Sequence, residues 1–130
     1  MPKVLLIEDD PGVRPALERL LRSIFPDLVI QTAASLHSAR VLLGEGNHFD
    51  LILLDGSLPE HDLGKPLPQS GIGLLHELNA GIHKHAGFIL AISANEDDCN
   101  IMMLYGAHDK VPKPIDASIL EAKIRNLLMI

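Results

Sequence analysis

Four of the strands that the sequence predicts are each followed by residues that could take part in chemistry. These residues are Glu8-Asp9, Asp55, Ser93 and Lys113. Carboxylates that are crowded together repel one another and lose hydration, so a cluster of them requires a cation. Oxygen ligands suit a hard ion, and a site shared with water and phosphate oxygens suits Mg²⁺ better than Ca²⁺. Brought together, these side chains would form a magnesium-dependent receptor for a transferring phosphoryl group.

Asp55 is the natural nucleophile of such a site, because it ends the continuous apolar stretch Leu51–Leu54. Lys113 would supply a movable positive charge, and Ser93 a hydroxyl donor. Each residue also has a simpler structural interpretation. The acids of Glu8–Asp10 could complement the start of a helix, Ser93 could belong to a turn, and Lys113 could be a solvated surface charge. Turns alone, however, do not explain why all of these residues follow predicted strands.

The elements that must position these residues form a repeating pattern. Continuous apolar stretches predict strands buried on both faces at 4–7, 49–55 and 88–92, and weaker strands are predicted at 28–33 and from 110. Apolar residues at helical spacing follow each of them, and in the last helix the predicted apolar face consists of Ile119, Leu120, Ile124, Leu127 and Leu128. This alternation predicts a doubly wound α/β domain, with helices on both faces of a parallel sheet. Parallel strands end at the same edge, so the residues after strands one, three, four and five should be neighbours.

Composition narrows the class of protein. The chain has 130 residues, of which 47% are hydrophobic and 22% are charged. This length and composition predict that residues 1–130 form one globular domain. The net charge is −6 and the 11 basic residues are scattered, which argues against direct binding of nucleic acid. The single cysteine, Cys99, cannot form an internal disulfide. No apolar stretch has the length of a membrane span or signal peptide, so we expect a cytoplasmic protein without membrane attachment.

The sequence resembles the receiver domains of bacterial response regulators along essentially its whole length. The matching blocks are Val4–Asp10, Asp50–Asp55 with Pro59, Ile92–Ala94, Gly106-Ala107 and Lys113-Pro114. The resemblance implies a flavodoxin-like, three-layer α/β/α fold of the CheY type, with five parallel strands in the order 2-1-3-4-5. It also implies a cis peptide bond between Lys113 and Pro114.

The resemblance implies that Asp55 accepts a phosphoryl group from a sensor histidine kinase or a phosphotransfer protein. Mg²⁺ would be held by Asp9, Asp55 and the backbone carbonyl of Ser57, with Glu8 acting through water. Lys113 would contact the phosphoryl group. Such a protein is a signalling switch and not a turnover enzyme.

The switch itself would depend on Ser93, which is expected to move and bond the phosphoryl group. That movement would change the fourth helix and fifth strand, which would then engage a downstream output protein or domain, or form a homodimer. Ser57 and Asn95 are expected to face the phosphoryl group and tune its lifetime.

Three features depart from the family pattern. Lys110 stands where the family usually has Tyr or Phe and is expected to be exposed, so the usual aromatic relay is missing. Tyr105 lies nearby in the sequence and could substitute for it, but packing is its expected role. The loop Glu60–Ser70 is longer than normal and could select a partner, gate the site or be a tolerated insertion. Ile101–Tyr105 is apolar around a whole helix, which indicates either a partner face or an unusually buried helix.

Other interpretations remain open at the level of sequence. A pseudo-receiver would keep the fold and only bind a partner. A magnesium-dependent aspartyl-phosphate phosphohydrolase of the haloacid-dehalogenase type would need an acid where Ser57 stands, and an FMN carrier would place phosphate against Glu8–Asp10. The chain could be free-standing or part of a larger regulator. The seven histidines, including His83 and His85, show no metal-binding spacing and are expected at the surface.

Overall fold

Strand and helix alternate five times within the part of the chain that the structure describes. The computed structural model describes residues 2–82 and 87–130, so His83 and His85 lie outside the described residues. The strands are β1 (Lys3–Ile7), β2 (Val29–Ala33), β3 (Leu51–Asp55), β4 (Phe88–Ser93) and β5 (Asp109–Pro112). The helices are α1 (Val13–Ile24), α2 (Leu36–Gly44), α3 (Ser70–Asn79), α4 (Glu96–Leu104) and α5 (Ala117–Leu128).

The five strands form one parallel sheet in the order β2-β1-β3-β4-β5. This confirms the predicted flavodoxin-like fold. β3 lies at the centre and is buried along its whole length, as its continuous apolar sequence predicts. β5 lies at the edge, where a strand tolerates Pro112 although proline has no N–H to donate to the ladder.

Each face of the sheet carries its own apolar core. Leu5 and Ile7 of β1 face one core, which α2, α3 and α4 cover, while Val4 and Leu6 face the other, which α1 and α5 cover. Successive side chains of a strand point to opposite faces, so strands with a core on each side must be apolar at nearly every position. Packing against the two layers of helices therefore fixes the position and direction of each strand.

Side-chain caps begin α2, α4 and α5. Asp10, which its place before Pro11 predicts to be the cap of α1, is not the cap: the N-cap is Gly12, and Asp10 Oδ1 accepts hydrogen bonds from the backbone N–H groups of Gly12 and Val13. Ser35 caps α2 and Asp116 caps α5. Pro15 is the third residue of α1, where its missing N–H has no helical partner to lose.

Two predicted environments were wrong. Ile119 is 46% exposed, although its spacing placed it on the apolar face of α5. Lys110 is half-buried and not exposed, and its ammonium group donates a hydrogen bond to Asn100 Oδ1 of α4. In Ile101–Tyr105 only Met102 is fully buried, and Leu104 is 85% exposed, so the apolar stretch does present a surface to solvent.

Gly71 allows α3 to pack directly against the end of β3. A Cβ atom at this position would lie 2.0 Å from the backbone oxygen of Asp55, whereas a Cβ at Gly73, in the same helix, would meet nothing within 4 Å. We expect Gly71→Ala to lower the free energy of unfolding by roughly 1–3 kcal/mol, because backbone has to move. Gly73→Ala should raise it by about 0.5–1 kcal/mol through helix propensity.

Urea unfolding followed by circular dichroism measures both variants. Equal stabilities for Gly71→Ala and Gly73→Ala would contradict the close packing of α3 against β3.

Candidate functional site

The residues predicted to meet at one edge of the sheet do so. Asp55 and Ser93 are the last residues of β3 and β4, while Glu8 and Asp9 follow β1 and Lys113 follows β5. All five line a single cavity of about 540 Å³, which Ser57 and Asn95 also line. Every side chain proposed from the sequence for this site therefore borders the same space.

Asp55 is held in a fixed orientation at the floor of this cavity. Its side chain is 7% exposed. Asp55 Oδ2 accepts a hydrogen bond from Lys113 Nζ at 3.1 Å, and Oδ1 accepts one from the backbone N–H of Ser57 at 3.3 Å. The carboxylate thus has a positive charge on one oxygen and a backbone donor on the other.

Lys113 bridges two buried carboxylates. Its Nζ lies 2.5 Å from Glu8 Oε2 as well as 3.1 Å from Asp55 Oδ2. Burial alone would lower the pKa of Lys113, but the hydrogen bond to Glu8 and the charges of Asp55 and Glu8 outweigh burial and raise it. Lys113 is therefore a permanent cation, and its backbone N–H, bonded to the carbonyl of Ser93 at 2.9 Å, fixes its position against β4.

One lysine does not balance the acids around it. Glu8 is almost fully buried, and this burial, together with the charge of Asp55, raises its pKa to about 7 despite the opposing effect of Lys113. The pKa of Asp9 is raised too, first by burial and then by the charge of Asp55. Both carboxyl groups would ionise more readily if a further cation were present.

The acidic residues fit a divalent metal ion. Glu8, Asp9 and Asp55 can each offer a carboxylate oxygen, and these oxygens lie within 4.8 Å of one another. Hard oxygen donors without a histidine or thiolate favour Mg²⁺ or Ca²⁺ over zinc. A bound cation would also relieve the repulsion that raises the pKa values of Glu8 and Asp9.

Ser93 and Asn95 connect the cavity to α4. The hydroxyl of Ser93 is buried and accepts a hydrogen bond from the backbone N–H of Asn95 at 3.1 Å. Asn95 Oδ1 in turn accepts from the N–H groups of Asp97 and Asp98, so it caps α4. A displacement of the Ser93 hydroxyl would therefore act directly on the first turn of this helix.

Sequence reasoning named the loop Glu60–Ser70 as one that could gate the site, but it singled out neither individual residues of that loop nor Asp98. Asp98, in the first turn of α4, is only 6% exposed, and Pro66, Pro68 and Gln69 reach the cavity from the long loop before α3. Asp98 lies three residues after Asn95, a spacing that places both on one side of a helix and could have indicated it. The loop residues have no comparable periodic signal.

Two residues occupy the region where receiver domains usually have an aromatic relay. Lys110 of β5 bonds Asn100 of α4, which ties the edge strand to the helix. Tyr105 is half-exposed and packs its ring against His76, with the ring centroids 4.8 Å apart. The contact between β5 and α4 is thus polar where an aromatic ring would be expected.

Comparison with known proteins identifies the family that the residues around the cavity indicate. The family model of the response regulator receiver domain matches residues 4–125. Curated relatives include the transcriptional regulatory protein MalR of Bacillus subtilis, 35% identical over 89% of this chain and 46% of MalR. AfsQ1 of Streptomyces coelicolor is 34% identical over 98% of this chain and 52% of AfsQ1. The chain spans about half the length of these relatives.

Solved structures show the same fold. The receiver domain of a DNA binding response regulator from Colwellia psychrerythraea superposes with a TM-score of 0.82, at 23% identity and full coverage of both chains. A two-component response regulator from Clostridium difficile gives a TM-score of 0.80 at 21% identity, over 99% of this chain and 97% of that one. Within residues 2–82 and 87–130, every helix is too short or too polar to span a bilayer.

The raised pKa of Glu8 predicts a pH-dependent stability for the protein kept metal-free with a chelator. Between the ordinary glutamate pKa of 4.5 and the folded value of about 7, the folded state holds a proton that the unfolded state has lost. Stability should therefore fall as pH rises through this window, on the order of 1–3 kcal/mol, and level off above it.

Urea unfolding between pH 5 and pH 8 measures this slope. In Glu8→Gln, which has no proton to lose, the decline should be clearly shallower than in the wild type. If the free energy of unfolding depended on pH equally in the two proteins, the raised pKa of Glu8 would be contradicted.

Proposed function

Because this chain belongs to the family of response regulator receiver domains, we propose that residues 1–130 act as a phosphorylation-controlled switch of a two-component system. The observation that carries the proposal is the buried carboxylate of Asp55 at the end of β3, bonded to Lys113 and grouped with Glu8 and Asp9. The phosphodonor would be a sensor histidine kinase or a phosphotransfer protein. Such donors present their phosphohistidine in the cytoplasm, and we propose that the protein acts there.

In the proposed reaction a carboxylate oxygen of Asp55 attacks the phosphorus atom of a phosphohistidine. A P–O bond forms, the P–N bond breaks, and its electron pair stays on the imidazole nitrogen. Lys113, which is already next to the carboxylate and permanently charged, would stabilise the negative charge on the phosphoryl oxygens. The backbone N–H of Ser57 would hold the other Asp55 oxygen in position.

The residues present fit a magnesium-dependent form of this chemistry. Asp9, Asp55 and the backbone carbonyl of Ser57 would hold Mg²⁺, and Glu8 would act through water. Bound Mg²⁺ would neutralise charge on the phosphoryl oxygens during transfer. Glu8 would also have a second role. Its ion pair with Lys113 would hold the ammonium group of the lysine beside Asp55.

Phosphorylation would then be transmitted through Ser93 to α4. The oxygens of a phosphoryl group on Asp55 would accept a hydrogen bond from the Ser93 O–H. If the Ser93 hydroxyl moves to donate that bond, its oxygen leaves the backbone N–H of Asn95, from which it now accepts. The bond between Lys110 and Asn100 would carry the change between α4 and β5 in place of the usual aromatic residue. We propose that this face engages a downstream output protein or domain, or a second copy of the chain.

A pseudo-receiver that only binds a partner is the alternative, and Lys110 is the residue that favours it.

A phosphorylation assay distinguishes the two functions. With Mg²⁺ and a small-molecule phosphodonor, the wild type should gain one labile phosphoryl group by intact mass spectrometry, and Asp55→Asn should gain none. No gain in the wild type would favour the pseudo-receiver, whereas continuous release of many phosphates per chain would favour a phosphohydrolase.

Magnesium should also stabilise the folded protein, because a ligand that binds only the folded state shifts the unfolding equilibrium. We expect Mg²⁺ to raise the melting temperature of the wild type, and Asp9→Asn to lose most of that increase. Asp27→Asn, an equal change of charge at an exposed position away from the site, serves as the control. Melting curves that do not respond to Mg²⁺ would count against the metal site.

A further inference from the structure

We propose that residues 60–69 form a fixed wall of the cavity around Asp55, and that this wall slows hydrolysis of the phosphoryl group by restricting the approach of water. Residues 60–69 are called the wall segment below. Asp62 is the positioning residue that fastens the segment in place. The inference rests on the proposed function, because it concerns the lifetime of phosphorylated Asp55.

The wall segment borders the reacting carboxylate. Pro66, Pro68 and Gln69 line the same cavity as Asp55 and Lys113. The two prolines present rings and have no backbone N–H, so this side of the cavity offers few groups that could orient an attacking water molecule. Apolar rings at this position would displace water from the space above Asp55.

The C-terminal part of the wall segment is fastened to the chain just after Asp55. Leu67 donates its backbone N–H to the carbonyl of Leu58 at 3.1 Å, and the two residues form an antiparallel bridge. The hydroxyl of Ser70 lies 2.7 Å from both the N–H and the carbonyl oxygen of Leu58. Leu58 is fully buried, so the anchor is part of the core.

Asp62 fastens the middle of the wall segment to the start of α2. Asp62 Oδ1 accepts hydrogen bonds from the hydroxyls of Ser35 at 2.6 Å and Ser38 at 2.5 Å. These two bonds lower the pKa of Asp62, so it is ionised at neutral pH. A negative charge at the N-terminus of a helix is also favoured by the helix dipole.

Further hydrogen bonds and an ion pair hold the first residues of the wall segment against α2. The carbonyl oxygens of Pro59 and Glu60 accept the first N–H groups of α2, at 2.9 Å each. Glu60 also forms an ion pair with Arg40 at 3.0 Å. Leu63, next to Asp62, is held at a φ of 66°, a backbone conformation that residues other than glycine rarely adopt. The turn is therefore determined by several contacts at once.

The reaction that the wall would slow is hydrolysis of the acyl phosphate. A water oxygen attacks phosphorus, the P–O bond to Asp55 breaks, and its electron pair returns to the carboxylate. Inorganic phosphate leaves and the proton of the water passes to solvent. Water must approach opposite the breaking bond, so a fixed wall that narrows this approach lengthens the lifetime of the phosphorylated state.

The test compares acyl-phosphate half-lives in the full chain. The wild type and each variant are phosphorylated with a small-molecule donor and Mg²⁺, the donor is removed, and intact mass is followed over time. We expect Asp62→Ala to shorten the half-life by about threefold or more, because it removes the anchor at the middle of the wall segment and leaves the segment held only near its two ends. Asp62→Asn, whose amide oxygen can accept the same two hydrogen bonds, should retain most of the wild-type half-life.

Ser38→Ala loosens the same contact from the helix side and leaves Ser35 to cap α2, so its half-life should fall between those of the wild type and Asp62→Ala. The increase of melting temperature with Mg²⁺ and the initial extent of phosphorylation should stay within about twofold of the wild type, since neither requires the wall. A merely destabilising effect would change these two quantities along with the half-life.

Several results would overturn the inference. One is an equal or longer half-life in Asp62→Ala, and another is unchanged hydrogen exchange of the wall segment in that variant. A longer half-life in Gln69→Ala would show that this side chain orients water, which is the opposite of shielding. Failure of the wild type to take up any phosphoryl group would instead overturn the proposed function, and the inference with it.

Discussion

The structure depends on a charge balance at one edge of its sheet. Glu8, Asp9 and Asp55 lie close enough to repel one another, and Lys113 is the cation that contacts two of them. Burial makes both the repulsion and the attraction stronger than they would be in water. The ion pairs of Lys113 hold the cluster together, but a net negative charge remains, which a divalent metal ion could neutralise.

The rest of the fold serves to hold these charges in place. β1, β3 and β4 are adjacent in the sheet, and their apolar residues are buried on both faces, so their ends have little freedom. Gly71 lets α3 approach the backbone of Asp55. Asn95, which lines the cavity, caps the first turn of α4. A site built on strand ends between two cores is rigid enough to keep Lys113 beside Asp55.

Much of this could be predicted from the sequence, since it follows from local patterns. Continuous apolar stretches predicted β1, β3 and β4, and the polar residues directly after the predicted strands indicated the site. Contacts between distant segments could not be predicted in this way. Asp62 meets Ser35 across 27 positions, and Lys110 finds Asn100 only because α4 packs against β5. Ile119 was placed wrongly because helical spacing gives a face, but not how much of that face a neighbour covers.

The central claim is that Asp55 is the phosphorylated residue, and chemical trapping tests it most directly. Reduction of an acyl phosphate with borohydride converts the aspartate to homoserine, which tandem mass spectrometry can locate in the chain. After incubation with Mg²⁺ and a phosphodonor, the account predicts homoserine at position 55 and at no other acidic position. Homoserine at position 9 or 10, or at no position in a protein that has gained mass, would contradict it.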